Sequence, residues 1–134
     1  MSDCIFCSIV VGELPAKKVL ENKTCVAFLD IFPASKGHTL VIPKKHVIDI
    51  HHADAQIYAD VAATAKEVAD LLQSKLHSDG TTVFQMSREA GWQTVFHLHM
   101  HVIPRWHSDG LHKPWDIAPA TEDELTEVLR IIHK

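Results

Sequence analysis

Apolar positions along the chain follow two different periods. Over residues 55–76 they recur at Ile57, Val61, Ala65, Val68, Leu72 and Leu76, the i, i+4, i+7 spacing of a helix with one buried face. Ser78-Asp79-Gly80 ends that stretch. Shorter apolar runs bounded by turn residues predict strands. These are Lys17–Glu21 and Thr24–Asp30 around a Glu21-Asn22-Lys23 turn, then His38–Ile42 between Gly37 and Pro43. Thr81–Met86 precedes the Ser87–Gly91 loop, and Thr94–Ile103 follows it and is ended by Pro104. Asp3 stands where it would N-cap a short helix, Cys4–Val11, stopped by Gly12 and Pro15. Thr121 and Glu124 form a capping-box pattern for a last helix, Glu122–His133. Strands on both sides of one long helix, joined mainly by short turns, predict an α+β fold. The expected architecture is a five-stranded antiparallel meander with one long helix and short N- and C-terminal helices.

One predicted strand carries an unusual pattern. In Val95-Phe96-His97-Leu98-His99-Met100-His101-Val102-Ile103 the period is two. Phe96, Leu98, Met100 and Val102 are expected on one face and His97, His99 and His101 on the other, about 6.6 Å apart along the strand. Eleven of 134 residues are histidine, yet even at that frequency chance yields such a triplet in few chains. A solvent-facing polar face would be served equally by Ser, Thr or Lys. Two chemical readings remain: histidines sharing a metal ion, and imidazole as a nucleophile with a neighbour as general acid. Gly91, Gln93 and Thr94 precede the triplet and supply amide, hydroxyl and backbone donors suited to a phosphate oxyanion.

Composition narrows the classes. Hydrophobic residues make up 46% and charged residues 22% of the chain, within the globular range. A length of 134 residues predicts one domain, 1–134, without linker or repeat. The net charge of −4 and pI near 6.2 argue against a nucleic-acid partner. No apolar run approaches the ~20 residues of a membrane span. Met1-Ser2-Asp3-Cys4 lacks the basic and apolar regions of a secretory signal, so a cytoplasmic location is expected. In a reducing compartment the Cys4-x-x-Cys7 spacing reads as a metal half-site or, less well without a preceding strand, a redox pair. Cys25, inside the run Cys25–Leu29, reads as a buried small hydrophobe.

The triplet and its surroundings resemble a known family. His97-Leu98-His99-Met100-His101-Val102-Ile103 is similar to the H-φ-H-φ-H-φ-φ signature of the histidine triad (HIT) superfamily of nucleotide hydrolases and transferases. Other motifs agree in order: Cys4-Ile5-Phe6-Cys7 with Ile9, Gly12–Ala16, Ala27–Ile31, Gly37–His46 and Gln93-Thr94-Val95. The similarity spans residues 3–105, leaving 106–134 as a C-terminal extension with a helix. It looks most like the Hint-like branch, small homodimeric hydrolases of nucleoside phosphoramidates. That resemblance implies a fold and a two-step reaction. His99 would attack the α-phosphate of a purine nucleotide conjugate and form a covalent nucleotidyl-histidine. His101 would contact the phosphate and protonate the leaving group. Gln93 and Thr94 would bind phosphate oxygens and the leaving-group side, and His38 would sit near the nucleophile and tune it. Asp30 would accept bonds from the ribose hydroxyls. Ile5, Phe6, Ile9, Leu14, Phe28 and Ile31 would wall a base slot or serve only as core, and the Trp92 indole would narrow its mouth. A dimer would form through the long helix and the Thr81–Met86 edge.

The resemblance also implies a structural zinc. A zinc-bearing bacterial subgroup has C-x-x-C at this place, with further ligands matching His46 and His97. The expected site is therefore Cys4, Cys7, His46 and His97, with no organic cofactor. Two positions depart from the Hint-like pattern. Met86 stands where an Asn is usual, and a thioether is at most a weak acceptor; Trp92 stands where Gly often precedes the Gln. Three alternatives therefore stay open: a dinucleoside polyphosphate hydrolase, a nucleotide-binding regulatory protein with little activity, and a metal enzyme using the triplet as ligands. His51, His52, His77, His107, His112 and His133 receive no role and are expected mostly at the surface.

Overall fold

The structure, a computed structural model, describes residues 3–134. Eight regular elements follow in order: α1 (Ile5–Val10), β1 (Lys18–Glu21), β2 (Cys25–Leu29), β3 (Thr39–Pro43), α2 (Ala55–Leu76), β4 (Gly80–Gln85), β5 (Met100–Arg105) and α3 (Glu122–Ile132), with a short 3-10 turn at Glu89–Gly91. All five strands pair antiparallel, in the order β1-β2-β3-β5-β4. The meander holds for the first three strands. The α2 crossover then carries the chain to the far edge, so β4 is outermost and β5 returns beside β3.

This order explains why β2 and β3 read as continuous apolar runs. Both of their faces are covered. Cys25, Ala27 and Val41 point into a core with Val61, Ala65, Val68 and Leu72 of α2. Val26, Phe28, Leu40 and Ile42 point the other way, against Phe6 and Ile9 of α1. A strand buried on both faces loses the polar alternation of a half-exposed one. Cys25 is fully buried, as a small hydrophobe should be.

Local chemistry sets the element ends. Asp54 caps α2 by accepting from the Ile57 N–H at 2.8 Å, and His77 ends it in the left-handed conformation at φ 55°. Asn22 closes the first hairpin by accepting from the Thr24 and Cys25 N–H groups. Gly37 enters β3 with φ 91°, and a Cβ there would lie 2.5 Å from Leu76 Cδ1, so both conformation and space require glycine. The predicted Asp3 cap is not used: Cys4 is the N-cap of α1, its sulfur accepting from the Cys7 N–H. Thr121 does cap α3, accepting from the Glu124 N–H at 3.2 Å.

The largest departure concerns the histidine segment. Thr94–Ile103 was expected as one strand, but β5 begins only at Met100 and runs on through Pro104 to Arg105. Pairing with β3 stops at Val41↔Met100. Residues 94–99 cross the sheet end without a ladder, tied at Leu98 N–H to Val47 O. Face alternation nevertheless holds from Leu98 onward: Leu98, Met100 and Val102 join the α2 core, while Phe96 is exposed. Pro104 is tolerated inside β5 because its carbonyl points at Ser35 Oγ, beyond the start of β3. Its absent N–H faces that same unladdered side. Among the described residues no helix is long and apolar enough to cross a membrane.

Candidate active site and metal site

His97 and His99 lie just before β5 and His101 within it, all on the face covered by α1. The Phe6 ring stands edge-on to His97 and His99, with centroids 5.8 and 5.1 Å apart. Phe84 of β4 stacks on His101 at 4.5 Å. His97 and His99 are buried and His101 half-buried. Burial pushes all three, and His38, below the ordinary imidazole pKa. His97 falls to about 4, with His46 and His99 adding to the burial effect. His101 falls to about 3, with His99 and His38 adding to it. His99 and His38 are lowered chiefly by burial, partly offset for His99 by the His97 carbonyl and for both by Asp30. These rings are therefore neutral near pH 7, and each carries one proton.

Hydrogen bonds decide where each proton sits. His99 Nδ1 lies 2.8 Å from the His97 carbonyl. A carbonyl only accepts, so Nδ1 holds the proton and Nε2 is a bare lone pair. His38 Nδ1 accepts from the Ala34 N–H at 2.9 Å, which puts the His38 proton on Nε2. That Nε2–H faces His101 Nδ1 at 2.9 Å, so His101 Nδ1 is bare and its proton is on Nε2. The two histidines, 5.0 Å apart between ring centroids, thus carry opposite tautomers. His99 offers a nucleophilic nitrogen and His101 an N–H donor. His38 was expected beside the nucleophile; its hydrogen bond goes instead to His101. Asp30 Oδ2 lies 3.5 Å from His38 Nε2, and Asp30 Oδ1 accepts from the Phe32 N–H.

At the other end of the segment Cys4, Cys7, His46 and His97 converge, their four donor atoms within 4.8 Å of one another. The sulfur–nitrogen separations are 3.4, 3.3 and 3.6 Å, and His46 Nδ1 lies 3.1 Å from His97 Nδ1. A tetrahedral zinc, with bonds of about 2.3 Å to sulfur and 2.0 Å to nitrogen, sets edges of about 3.5 and 3.3 Å. His97 Nε2 donates to the Pro43 carbonyl at 2.9 Å, leaving Nδ1 as a lone pair aimed into the cluster. A carbonyl on the far nitrogen is the usual support of a metal-bound imidazole. The donor set, spacing and tautomer all fit a structural zinc joining α1 to the end of β3 and the histidine segment.

Other expected residues divide. Gln93 is buried, but its carboxamide is spent on backbone: Oε1 accepts from the Arg88 N–H, and Nε2 donates to the Ile48 and Val95 carbonyls. Its side chain braces loops and is not turned to a phosphate. Thr94 is exposed. Phe6, Ile9 and Phe28 are buried core, whereas Ile5, Leu14 and Ile31 are exposed. Trp92, at φ 74°, packs its indole on Trp115 of the C-terminal segment, 5.5 Å between centroids.

Several contributors escaped sequence reading. Phe84 had no signal beyond its place in a strand. Buried Asp49 accepts from the N–H groups of His51 and His52 and from His52 Nδ1 at 2.7 Å, and its other oxygen faces Arg88. With Gln93, it fastens the loops that lead into the histidine segment. Of the unassigned histidines, His52 therefore has a partner and His77 forms the α2 cap. The Asp49-x-x-His52 spacing was the available clue.

Together the fold and site define an α+β protein that displays an imidazole nucleophile and an imidazole donor beside a Cys2His2 cluster. The chain belongs to the HIT domain family, whose domain is matched over residues 11–108. It is 37% identical over 123 residues to adenosine 5'-monophosphoramidase hnt1 of Schizosaccharomyces pombe, covering 91% of this chain and 90% of that protein. It superposes on the crystal structure of SMU.412c from Streptococcus mutans UA159 with a TM-score of 0.93 at 38% identity, covering 99% of this chain and 85% of the other. A Zn-bound histidine triad family protein from Mycobacterium smegmatis is 37% identical, with a TM-score of 0.80, covering 96% and 91% of the two chains.

Proposed function

We propose that the protein hydrolyses purine nucleoside phosphoramidates, or similar nucleotide conjugates, through a covalent nucleotidyl-His99 intermediate. The opposite tautomers of His99 and His101 carry this reading. His99 Nε2 attacks the α-phosphorus, a P–N bond to His99 forms, and the bond to the leaving group breaks. An anionic phosphate beside His101 favours its protonated form, with the proton drawn from solvent as substrate binds. Asp30 is close enough to take over the His38 Nε2–H bond when His101 Nδ1 becomes protonated. His101 then passes the Nε2 proton to the departing amine, which leaves far more readily as a neutral molecule. In the second step water attacks phosphorus and gives a proton to His101. The P–N bond to His99 breaks, and the nucleoside monophosphate departs. Buried Phe6 holds the nucleophilic ring in place throughout.

The similarity to a named adenosine 5'-monophosphoramidase supports a purine nucleotide substrate. The carboxylate of Asp30 fits ribose hydroxyls, with Thr94 at the exposed entry. Cys4, Cys7, His46 and His97 would hold a zinc that is structural, since four protein ligands leave no open position for substrate; no organic cofactor is invoked. The thiolates suit a reducing cytoplasm. The open edge of β4 and the outer face of α2 suit a homodimer.

The test is hydrolysis of adenosine 5'-phosphoramidate by the wild type and by His99→Ala, with and without chelator. The reading expects turnover that His99→Ala abolishes and that outlasts brief chelation. No wild-type turnover would favour a nucleotide-binding protein, and loss on chelation before unfolding would favour metal catalysis. Competition between the phosphoramidate and a dinucleoside polyphosphate separates the two hydrolase readings.

A further inference from the structure

The proton donor works against its surroundings. Burial, with His99 and His38 beside it, pushes the His101 imidazole down to about 3. Yet the ring must gain a proton when substrate binds and lose it to the leaving group. Whatever favours the charged ring over the neutral one therefore acts on the rate. Three titratable groups face His101. The His99 and His38 rings lie 5.0 and 5.1 Å away between centroids, and Asp30 shares a cluster with His38 and His101 whose donor atoms lie within 4.8 Å of one another. The fourth neighbour, Phe84, does not titrate and has no part in the reaction as derived so far.

Phe84 in β4 is paired directly with His101 in β5, so the two side chains leave the sheet on the same face. Both are half-buried. Their rings are 4.5 Å apart between centroids and 24° from parallel. His38 and His99 meet the same ring tilted, at 51° and 56°. The His38 N–H holds one point of the imidazole, Nδ1, and Phe84 holds its plane. Together they direct the Nε2–H. A Leu or Val would cover a neutral imidazole equally well. An aromatic face adds the negative side of a quadrupole, and that attraction grows when the ring stacked on it becomes a cation. An interaction that strengthens as the reaction proceeds raises kcat and leaves ground-state binding alone.

We propose that Phe84 is a positioning residue for the proton donor: its ring face fixes the plane of His101 and favours the imidazolium that forms when an anionic phosphate binds. This deepens the hydrolase reading above and rests on it. The proton still comes from solvent and still leaves with the amine. Phe84 neither gives nor takes one; it acts through His101 by stabilising the charged ring between those two transfers.

Fluorinated phenylalanines at position 84 of the full chain test this, because each added fluorine weakens the negative face of the ring with little change in its shape. Two readouts are taken: kcat and KM for adenosine 5'-phosphoramidate, and the protonation of His101 followed by ¹⁵N NMR against pH with adenosine 5'-monophosphate bound. The pentafluoro ring should lower kcat about tenfold with KM little changed, and rings with fewer fluorines should fall in between. The pH at which His101 is half protonated should move down in the same order. Phe84→Leu should match the pentafluoro ring in kcat. A series that is flat in either readout would overturn the inference and leave Phe84 as packing alone. Absence of turnover by the wild type would overturn the hydrolase reading instead. The titration then decides Phe84 by itself: an ordered shift upholds its action on His101, and a flat series overturns it.

Discussion

His97 and His101 belong to one motif, share one face and have lost their ordinary basicity to the same cause, burial. They nevertheless face different partners. His97 gives its Nε2 proton to a carbonyl and turns a bare Nδ1 toward two sulfurs. His101 has its Nδ1 occupied by the His38 N–H and keeps a proton on Nε2. The difference lies in what touches the far nitrogen, and that contact decides whether a buried histidine holds a metal or moves a proton. His99 stands between them, with its Nδ1 on the backbone and its Nε2 open.

The variants that break this comparison rank by expected effect. His99→Ala removes the nucleophile and should lower turnover more than about 10⁴-fold, as loss of a covalent nucleophile does; single-turnover kinetics with adenosine 5'-phosphoramidate measures it. His38→Ala spares both ends but frees His101 Nδ1, so the His101 proton is no longer directed. Its kcat should fall about 10²-fold with KM little changed, and equal losses in both would mean that His38 only binds substrate. At the metal end, chelation or Cys7→Ala should leave the histidine tautomers of the other end intact and act on stability. A ligand present at a thousand times its Kd contributes about 4 kcal/mol, so thermal unfolding should shift by a matching amount while zinc content falls to zero.

Much of this arrangement was legible in the sequence because it depends on spacing. The 22-residue α2 matches its apolar period from end to end, and the C-x-x-C pair meets His46 and His97 as the family resemblance implied. What escaped depends on contacts between distant segments. The Gln93 carboxamide looked like a phosphate ligand because nothing in its neighbours shows that Arg88 and Ile48 would claim it. The resemblance implied His38 near the nucleophile, and spacing cannot say that its hydrogen bond would go to His101, two residues on. The late start of β5 coincides with the end of β4, whose last pair is Gln85↔Met100, which is a property of the sheet and not of residues 94–99.

Smaller effects sharpen the same contrast. Gly37→Ala forces a side chain against Leu76 at positive φ and should cost about 1–3 kcal/mol, read by denaturant unfolding, without changing zinc content. Acid titration separates the chemistry end. An unfolded chain protonates the His101 imidazole near pH 6.5, whereas the folded chain holds off until about 3. Between those values the unfolded state binds the extra proton, so stability is full above the window and falls as pH drops through it. His101→Asn should flatten that slope in equilibrium unfolding from pH 6.5 downward.

The most direct measurement is long-range ¹⁵N–¹H NMR of the histidine rings in the zinc-loaded protein at pH 7. The geometry predicts His99 protonated on Nδ1 with a bare Nε2, and His101 neutral with its proton on Nε2. The same tautomer in both rings, or a charged His101 in the free protein, would contradict the division of roles between nucleophile and donor.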